Sequence, residues 1–299
     1  MNISKFLKQN QTDISLQNVV LSMVEGVKQV SEKIKSCDIK VTTKKNFSGD
    51  KQMALDLVSN YIFIDVFSKN EQIYAIASEE EEEKRELNNN GNYIIAFDPL
   101  DGSSLINTNL SIGSIFGVYQ SKNFLGQQGK NQICAAYAVY GPRTTFFLSF
   151  GKGVYGFNLE QDDFILFYDN EKIEKKSKLF SPGNLRAVNE NAKYKKLVDI
   201  WMQEEKTLRY SGGMVPDINA IFCKNNGIFS YPAFSKYPNG KLRILYECAP
   251  FAFLVEAAGG LALDQQGNRI LDLEIKELHQ RSTIFVGSED EVRRGVEVL

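Results

Sequence analysis

The sequence predicts a layered α/β protein of two subdomains, and three observations carry that prediction. At 299 residues the chain is long enough for a sizeable core, as one large α/β unit or as two subdomains. Two helix-spaced segments precede a rapid succession of apolar strands. Several of those strands are continuous apolar runs rather than alternating ones, which calls for a sheet covered on both faces.

Residues 14–35 set Leu16, Val20, Met23, Val24, Val27 and Ile34 at helical spacing. Residues 51–68, with Met53, Leu57, Val58, Tyr61 and Ile62, form a second helix with a wider apolar surface. Strands are predicted at 73–78, 93–98, 112–119, 133–140, 144–150, 153–158 and 164–168. Asn88-Asn89-Asn90-Gly91-Asn92 is a loop, and Glu79 to Glu83 is a charge run. The lysine-rich piece 172–178, ahead of Ser181-Pro182-Gly183-Asn184, marks a junction between subdomains 1–180 and 181–299. The second subdomain carries helices near 191–205 and 216–223, strands near 227–231 and 242–246, and a helix at 247–258 stopped by Gly259-Gly260. A strand at 283–286 and a terminal helix close the chain.

Composition narrows the function classes. A net charge of −2 offers no basic surface for nucleic acid or a bilayer. No apolar run approaches the ~20 residues of a membrane span. The segment Met1 to Asn10 lacks a signal peptide's apolar stretch, so a cytoplasmic location is expected. Cys37, Cys134, Cys223 and Cys248 have no CxxC spacing and suggest neither zinc nor a disulfide framework. Three of the four lie in apolar surroundings and read as small core residues. The single histidine, His279, reads as structural. An enzyme built from this chain must work with carboxylates.

The segment Phe97-Asp98-Pro99-Leu100-Asp101-Gly102-Ser103-Ser104 follows an apolar strand and puts two carboxylates three residues apart. Pro99 fixes its own φ, and Gly102 permits a turn that other residues resist. Open sheets bind ligands at such carboxyl ends, and oxygen clusters suit Mg²⁺ and Mn²⁺. Taken alone, the segment fits a common Asp-Pro/Asp-Gly turn equally well. Glu79 and Glu80 are the first residues to leave the strand Ile73 to Ala77, whereas Glu81, Glu82 and Glu83 read as a solvated run. Asp50 reads as an N-cap, and Asp56, inside an apolar helical pattern, needs a partner if buried. Glu247 opens a helix, where helix-terminus electrostatics is the plain alternative.

Ser78-Glu79-Glu80, Asp98 to Ser104, Pro238-Asn239-Gly240-Lys241-Leu242-Arg243 and Tyr246-Glu247-Cys248-Ala249-Pro250 together resemble the fructose-1,6-bisphosphatase family of metal-dependent, lithium-sensitive sugar phosphatases. The resemblance runs in order from about residue 14 to the C-terminus. Residues 140–145, 179–187 and 207–217 are more similar to the sedoheptulose-1,7-bisphosphatase branch, and Tyr231-Pro232 and 238–241 to fructose bisphosphatases. The resemblance implies an α-β-α-β-α sandwich and a homo-oligomer, dimer or tetramer. It implies hydrolysis of the 1-phosphate of sedoheptulose 1,7-bisphosphate, with fructose 1,6-bisphosphate or both sugars as the alternative.

It also assigns roles. Asp98, Asp101 and Glu247 would hold one Mg²⁺ or Mn²⁺, and Glu79, Asp98 and the Leu100 carbonyl a second, with Glu79 a candidate bridge. Asp56 and Glu80 would orient and deprotonate the attacking water, Glu80 also counting among the metal ligands. Asp101, Gly102, Ser103 and Ser104 would grip the departing phosphate. Asn184, Arg209, Tyr210, Gly213, Met214, Tyr231, Lys241 and Glu247 would hold the rest of the substrate, Arg209 reaching in from a neighbouring subunit. The chemistry is coherent on its own terms: a phosphate dianion repels nucleophiles, and divalent ions neutralise it, acidify water and support the leaving oxygen. Crowded carboxylates differ in pKa, so one can act as base without histidine.

Departures from the family carry expectations too. Residues 14–30 lack the Thr-Gly-Glu-Leu-Thr segment that binds AMP in animal members, and Asn92 and Gln120 stand at later matching positions. Weak or absent AMP inhibition is therefore expected. No paired-cysteine loop of the plastid type is recognisable, so activation by reduction is not expected.

Overall fold

The computed structural model describes residues 1–36, 41–45 and 51–299, with 41–45 and 51–53 as backbone alone. Cys37 and the N-cap position Asp50 lie outside the described residues. Helices α1 (Ile3–Gln9), α2 (Ile14–Ser36) and α3 (Ala54–Ser68) belong to the first part, with the paired strands β1 (Val41–Lys45) and β2 (Lys51–Met53) between α2 and α3. Next come β3 (Ile73–Ser78), β4 (Arg85–Glu86), β5 (Tyr93–Asp101) and β6 (Ile112–Tyr119). The run continues with β7 (Gln132–Tyr140), β8 (Thr144–Ser149), β9 (Tyr155–Glu160) and β10 (Asp163–Asp169). These eight form one sheet in the order β10-β9-β8-β7-β6-β5-β3-β4.

The second part contains β11 (Leu179–Pro182), β12 (Thr207–Leu208), β13 (Ile228–Tyr231), β14 (Leu242–Arg243), β15 (Leu261–Leu263), β16 (Arg281–Ser282) and β17 (Ile284–Gly287). A five-stranded sheet has the order β12-β11-β13-β17-β15, and β14 pairs with β16 apart from it. Helices α4 (Ala192–Gln203), α5 (Met214–Lys224), α6 (Ala249–Ala257) and α7 (Glu289–Val298) accompany these strands.

Side-chain alternation builds five layers. One face of the first sheet, through Ile95, Phe97, Phe116 and Val118, packs on α2 and α3. Ile115, Tyr137 and Phe147 point the other way, onto Ile218 and Phe222 of α5 and Phe251 of α6. Those helices also bury Phe229 and Val286 of the second sheet, whose far side packs on Leu197 and Trp201 of α4 and Val292 of α7. The continuous apolar runs thus have their physical cause: both faces of each sheet are covered. Close approach shapes the packing of α2 on α3, where a Cβ on Gly26 would lie 2.5 Å from the Phe63 ring.

Three sequence readings are corrected. The helix expected from residue 51 begins at Ala54, because 51–53 pair as a strand. The strand expected at 242–246 ends at Arg243, and Ile244–Cys248 form a π-helix leading into α6. Every residue from Leu242 to Cys248 is buried, so periodicity could not separate strand from helix. Among the described cysteines, Cys134 and Cys248 are buried but Cys223 is exposed, two core residues rather than three. The short elements α1, β11 and β15 carry too few residues for a readable period.

Candidate active site

The site begins where β3 and β5 end. Their pairing is parallel, with Ser78 beside Phe97, so residues leaving both strands emerge at one edge. The Glu79 N–H donates to the Phe97 carbonyl at 3.0 Å, which sets Glu79 next to Asp98. Asp98 Oδ1 accepts the Leu100 N–H at 2.9 Å, and the Pro99 carbonyl accepts the Ser114 hydroxyl at 2.7 Å. Gly102, at φ 82°, then turns the chain into the 3₁₀ helix Ser103–Thr108. Asp101 Oδ2 accepts the Val215 N–H at 2.7 Å and ties the end of β5 to the first turn of α5.

Helix α3 supplies a further part of the lining. Asp56 lies in its first turn and is 3% exposed. One turn further on, Asn60 Oδ1 accepts the Ser78 hydroxyl at 2.6 Å, and Ser78 Oγ accepts the Glu80 N–H at 3.2 Å. The helix that presents Asp56 therefore also fixes the Glu79-Glu80 turn. From the second part of the chain, Glu247 enters on the π-helix, a local form often found at functional positions. Glu247 Oε2 accepts the Arg243 N–H at 2.6 Å, and the Arg243 guanidinium pairs with Glu79.

Oxygens of Asp98, Asp101 and Glu247 all lie within 4.8 Å of one another. Burial, reinforced by the charges of Glu79, Asp101, Glu247 and Glu80, pushes the Asp98 carboxyl well above the usual range. Burial outweighs the Val215 N–H and lifts Asp101 to about 6. Burial and the Glu79 charge lift Glu247 to about 7 against the opposing pull of Arg243. The cluster is short of positive charge and offers only hard oxygen donors, a set that fits a divalent cation.

Two adjoining cavities organise the remaining residues. The first, about 300 Å³, holds Asp56, Glu79, Glu80, Asp98, Leu100, Asp101, Gly102, Ser103, Ser104, Lys241 and Glu247. The second, about 310 Å³, shares Asp101, Ser104, Lys241 and Glu247 and adds Asn184, Tyr210, Gly213, Met214 and Tyr231. Arg209 lines neither; it is exposed and donates to the Leu208 carbonyl at 3.1 Å. Every other sequence-predicted site residue is thus brought to one continuous cleft.

Several residues were not foreseen. Arg243 lies within the quoted Lys-Leu-Arg motif, but its apolar neighbours made it read as strand. Asp217 is buried, its Oδ1 accepting the Ser211 N–H at 2.9 Å while Oδ2 has no hydrogen-bond partner. It pins the Ser211-Gly212-Gly213 loop at the edge of both cavities, and burial lifts its carboxyl to about 6. Arg186, Lys236 and Tyr237 line the second cavity. Their signal was basic and aromatic residues flanking Asn184 and Tyr231 in the sequence.

Comparison with known proteins gives the family and the fold. The profile of the fructose-1-6-bisphosphatase N-terminal domain matches residues 1–169, and that of the C-terminal domain residues 173–299. The class 1 fructose-1,6-bisphosphatase of Geobacter sulfurreducens is 37% identical over 100% of this chain and 96% of its own length. Chloroplastic sedoheptulose-1,7-bisphosphatase of Spinacia oleracea is 36% identical over 98% of this chain and 76% of its own. The crystal structure of Leishmania major fructose-1,6-bisphosphatase in holo form superposes with a TM-score of 0.92 at 32% identity, covering 100% of this chain and 98% of that one.

Proposed function

The chain belongs to the fructose-1,6-bisphosphatase family and is a sugar bisphosphatase, and from that premise we propose that it removes the 1-phosphate of both fructose 1,6-bisphosphate and sedoheptulose 1,7-bisphosphate. The observation that carries this reading is the junction of the two cavities. Carboxylates crowd one end and cations line the other, a match for a sugar phosphorylated at both ends. The motifs at 179–187 and 207–217 lean toward the seven-carbon sugar. Identities of 37% and 36% to the two kinds of relative support six-carbon activity at least as well.

Divalent-metal dependence comes with the family, and Mg²⁺ is the ion proposed here, with Mn²⁺ a substitute and two or more ions per site. When bound, the ions supply positive charge against the phosphate dianion and the leaving oxygen. Asp98, Asp101 and Glu247 would hold one, and Glu79, Asp98 and the Leu100 carbonyl another. Asp56 and Glu80 both line the first cavity and would orient a water and accept its proton. Ser103 and Ser104 would hold the 1-phosphate; Asn184, Tyr210, Tyr231 and Lys241 would hold the distal one. In a homo-oligomer, Arg209 would complete a neighbour's distal site. On this reading residues 1–180 carry most metal ligands, and 181–299 carry the distal site and Glu247.

The test is phosphate release from each bisphosphate with Mg²⁺, compared as kcat/KM. Values within about tenfold of each other support dual use. Release from only one sugar, or from neither, would overturn the reading.

A further inference from the structure

Two cations of the second cavity have no role in the account above. Arg186 lies on the 3₁₀ helix Leu185–Asn189 and Lys236 on the loop after Tyr231. Both line the cavity that carries Asn184, Tyr231 and Lys241. Elsewhere the arginines are mostly compensated: Arg85 by Glu81, Arg243 by Glu79, Arg269 by Glu256, Arg293 by Glu289 and Arg294 by Glu204. Among the described residues, Arg186 has no ion pair and Lys236 only the face of the Tyr237 ring, 5.2 Å from its centroid.

The two cations are also held relative to each other. Glu190 caps the helix that carries Arg186, and its carboxylate accepts the Ser235 N–H at 2.6 Å and the Ser235 hydroxyl at 2.9 Å. Phe234 and Tyr237 close a turn by exchanging backbone hydrogen bonds, which presents Lys236 at its tip. Arg186, Lys236, Lys241 and Tyr231 all line this one cavity. The acids of this cavity, Asp101 and Glu247, belong to its mouth, where it meets the metal-ligand cluster.

Resting on the dual-substrate reading, we propose that Arg186, with Lys236, forms an outer cationic rim that reads the terminal phosphate of the longer sugar and so admits the seven-carbon bisphosphate. With the 1-phosphate and sugar ring fixed near the carboxylates, a seven-carbon ketose carries one more exocyclic carbon before its distal phosphate. That phosphate would sit one bond further from the cluster, toward Arg186 and Lys236, which line the second cavity alone, whereas Lys241 lines both. Arginine suits the position because its planar fork grips a phosphate with two parallel bonds. Arg186 is a specificity-determining residue and takes no part in bond cleavage.

The experiment measures kcat and KM for both bisphosphates, with Mg²⁺, in wild-type protein and in Arg186→Ala, Arg186→Lys and Lys236→Ala. Loss of charge-assisted bonds to one phosphate is expected to raise KM for the seven-carbon sugar about tenfold in Arg186→Ala. The six-carbon KM should rise less than about threefold, the size of a screened surface-charge effect. Arg186→Lys should recover part of the loss, kcat should hold throughout, and Lys236→Ala should shift KM in the same sense. Equal KM changes for both sugars, or none, would overturn the proposal. Wild-type protein that cleaves neither sugar, or only one of them, would instead sink the dual-substrate reading on which it rests.

Discussion

Asp101 has two attachments that pull in different directions. One oxygen accepts the Val215 N–H, and the carboxylate as a whole faces Asp98 and Glu247. Asparagine keeps an acceptor for Val215 but removes the charge. Asp101→Asn is therefore expected to keep the melting temperature within a few degrees while lowering kcat by more than about 100-fold, a larger loss than removing a group that only orients a metal ligand. Undiminished turnover would refute the carboxylate mechanism. These acids were legible in the sequence because each leaves a strand or opens a helix. Arg243 was not, since an arginine inside Leu242 to Tyr246 shows its role only once Glu79 and Glu247 are beside it. Arg209 is the converse case: its motif was readable, yet its own chain gives it no place in either cavity.

At the scale of elements, the turn after β5 positions the proposed phosphate grip. Gly102 sits in the left-handed region, and a Cβ there would come within 3.3 Å of Leu105 Cδ1. Gly102→Ala is expected to cost about 1 kcal/mol of stability in denaturant unfolding. Displacement of Ser103 and Ser104 should lower kcat/KM by more than that stability loss alone would suggest. Normal kinetics in a destabilised variant would separate the turn from catalysis. The strands from 73 to 169 were readable because long apolar runs cannot be loops. Tertiary pairing, absent from local sequence, decided the rest: β5 runs on to Asp101, while β14 stops at two residues and yields to a π-helix.

For the whole molecule, the crowded acids set how pH and metal act on stability. A carboxyl raised on folding keeps its proton in the native state where the unfolded chain has lost it. For Asp101 that window runs from 3.8 to about 6, and for Glu247 from 4.5 to about 7. With metal chelated, stability contributed by these groups is present at low pH and lost as pH rises through the window. Because a cation binds the ionised form, Mg²⁺ should raise the melting temperature more near pH ~8 than near pH ~5.5. An equal rise at both would contradict the assignment. Arg209, exposed beside Leu208 and Tyr210, makes the second expectation at this scale. Sedimentation should report a multiple of 33.8 kDa, and Arg209→Ala should raise KM without touching kcat. A monomer with full activity would remove the shared-residue role. The five layers were inferable from family resemblance and apolar runs, but their order along the core came only from which face each side chain occupies.

In the first sheet β3 and β5 are the one parallel pair among its described pairings. That feature makes chain length near the site unequal in its consequences. The connection from Glu81 to Asn92 carries only the two-residue edge strand β4, so an inserted residue there is absorbed in the loop. A residue deleted within Ile73 to Ser78 cannot be absorbed. It would retract Glu79 by about 3.3 Å and turn the following side chains to the opposite face, separating Glu79 from Asp98. The loop is open to grafted sequence, while the six residues of β3 work as a ruler whose length places the acids.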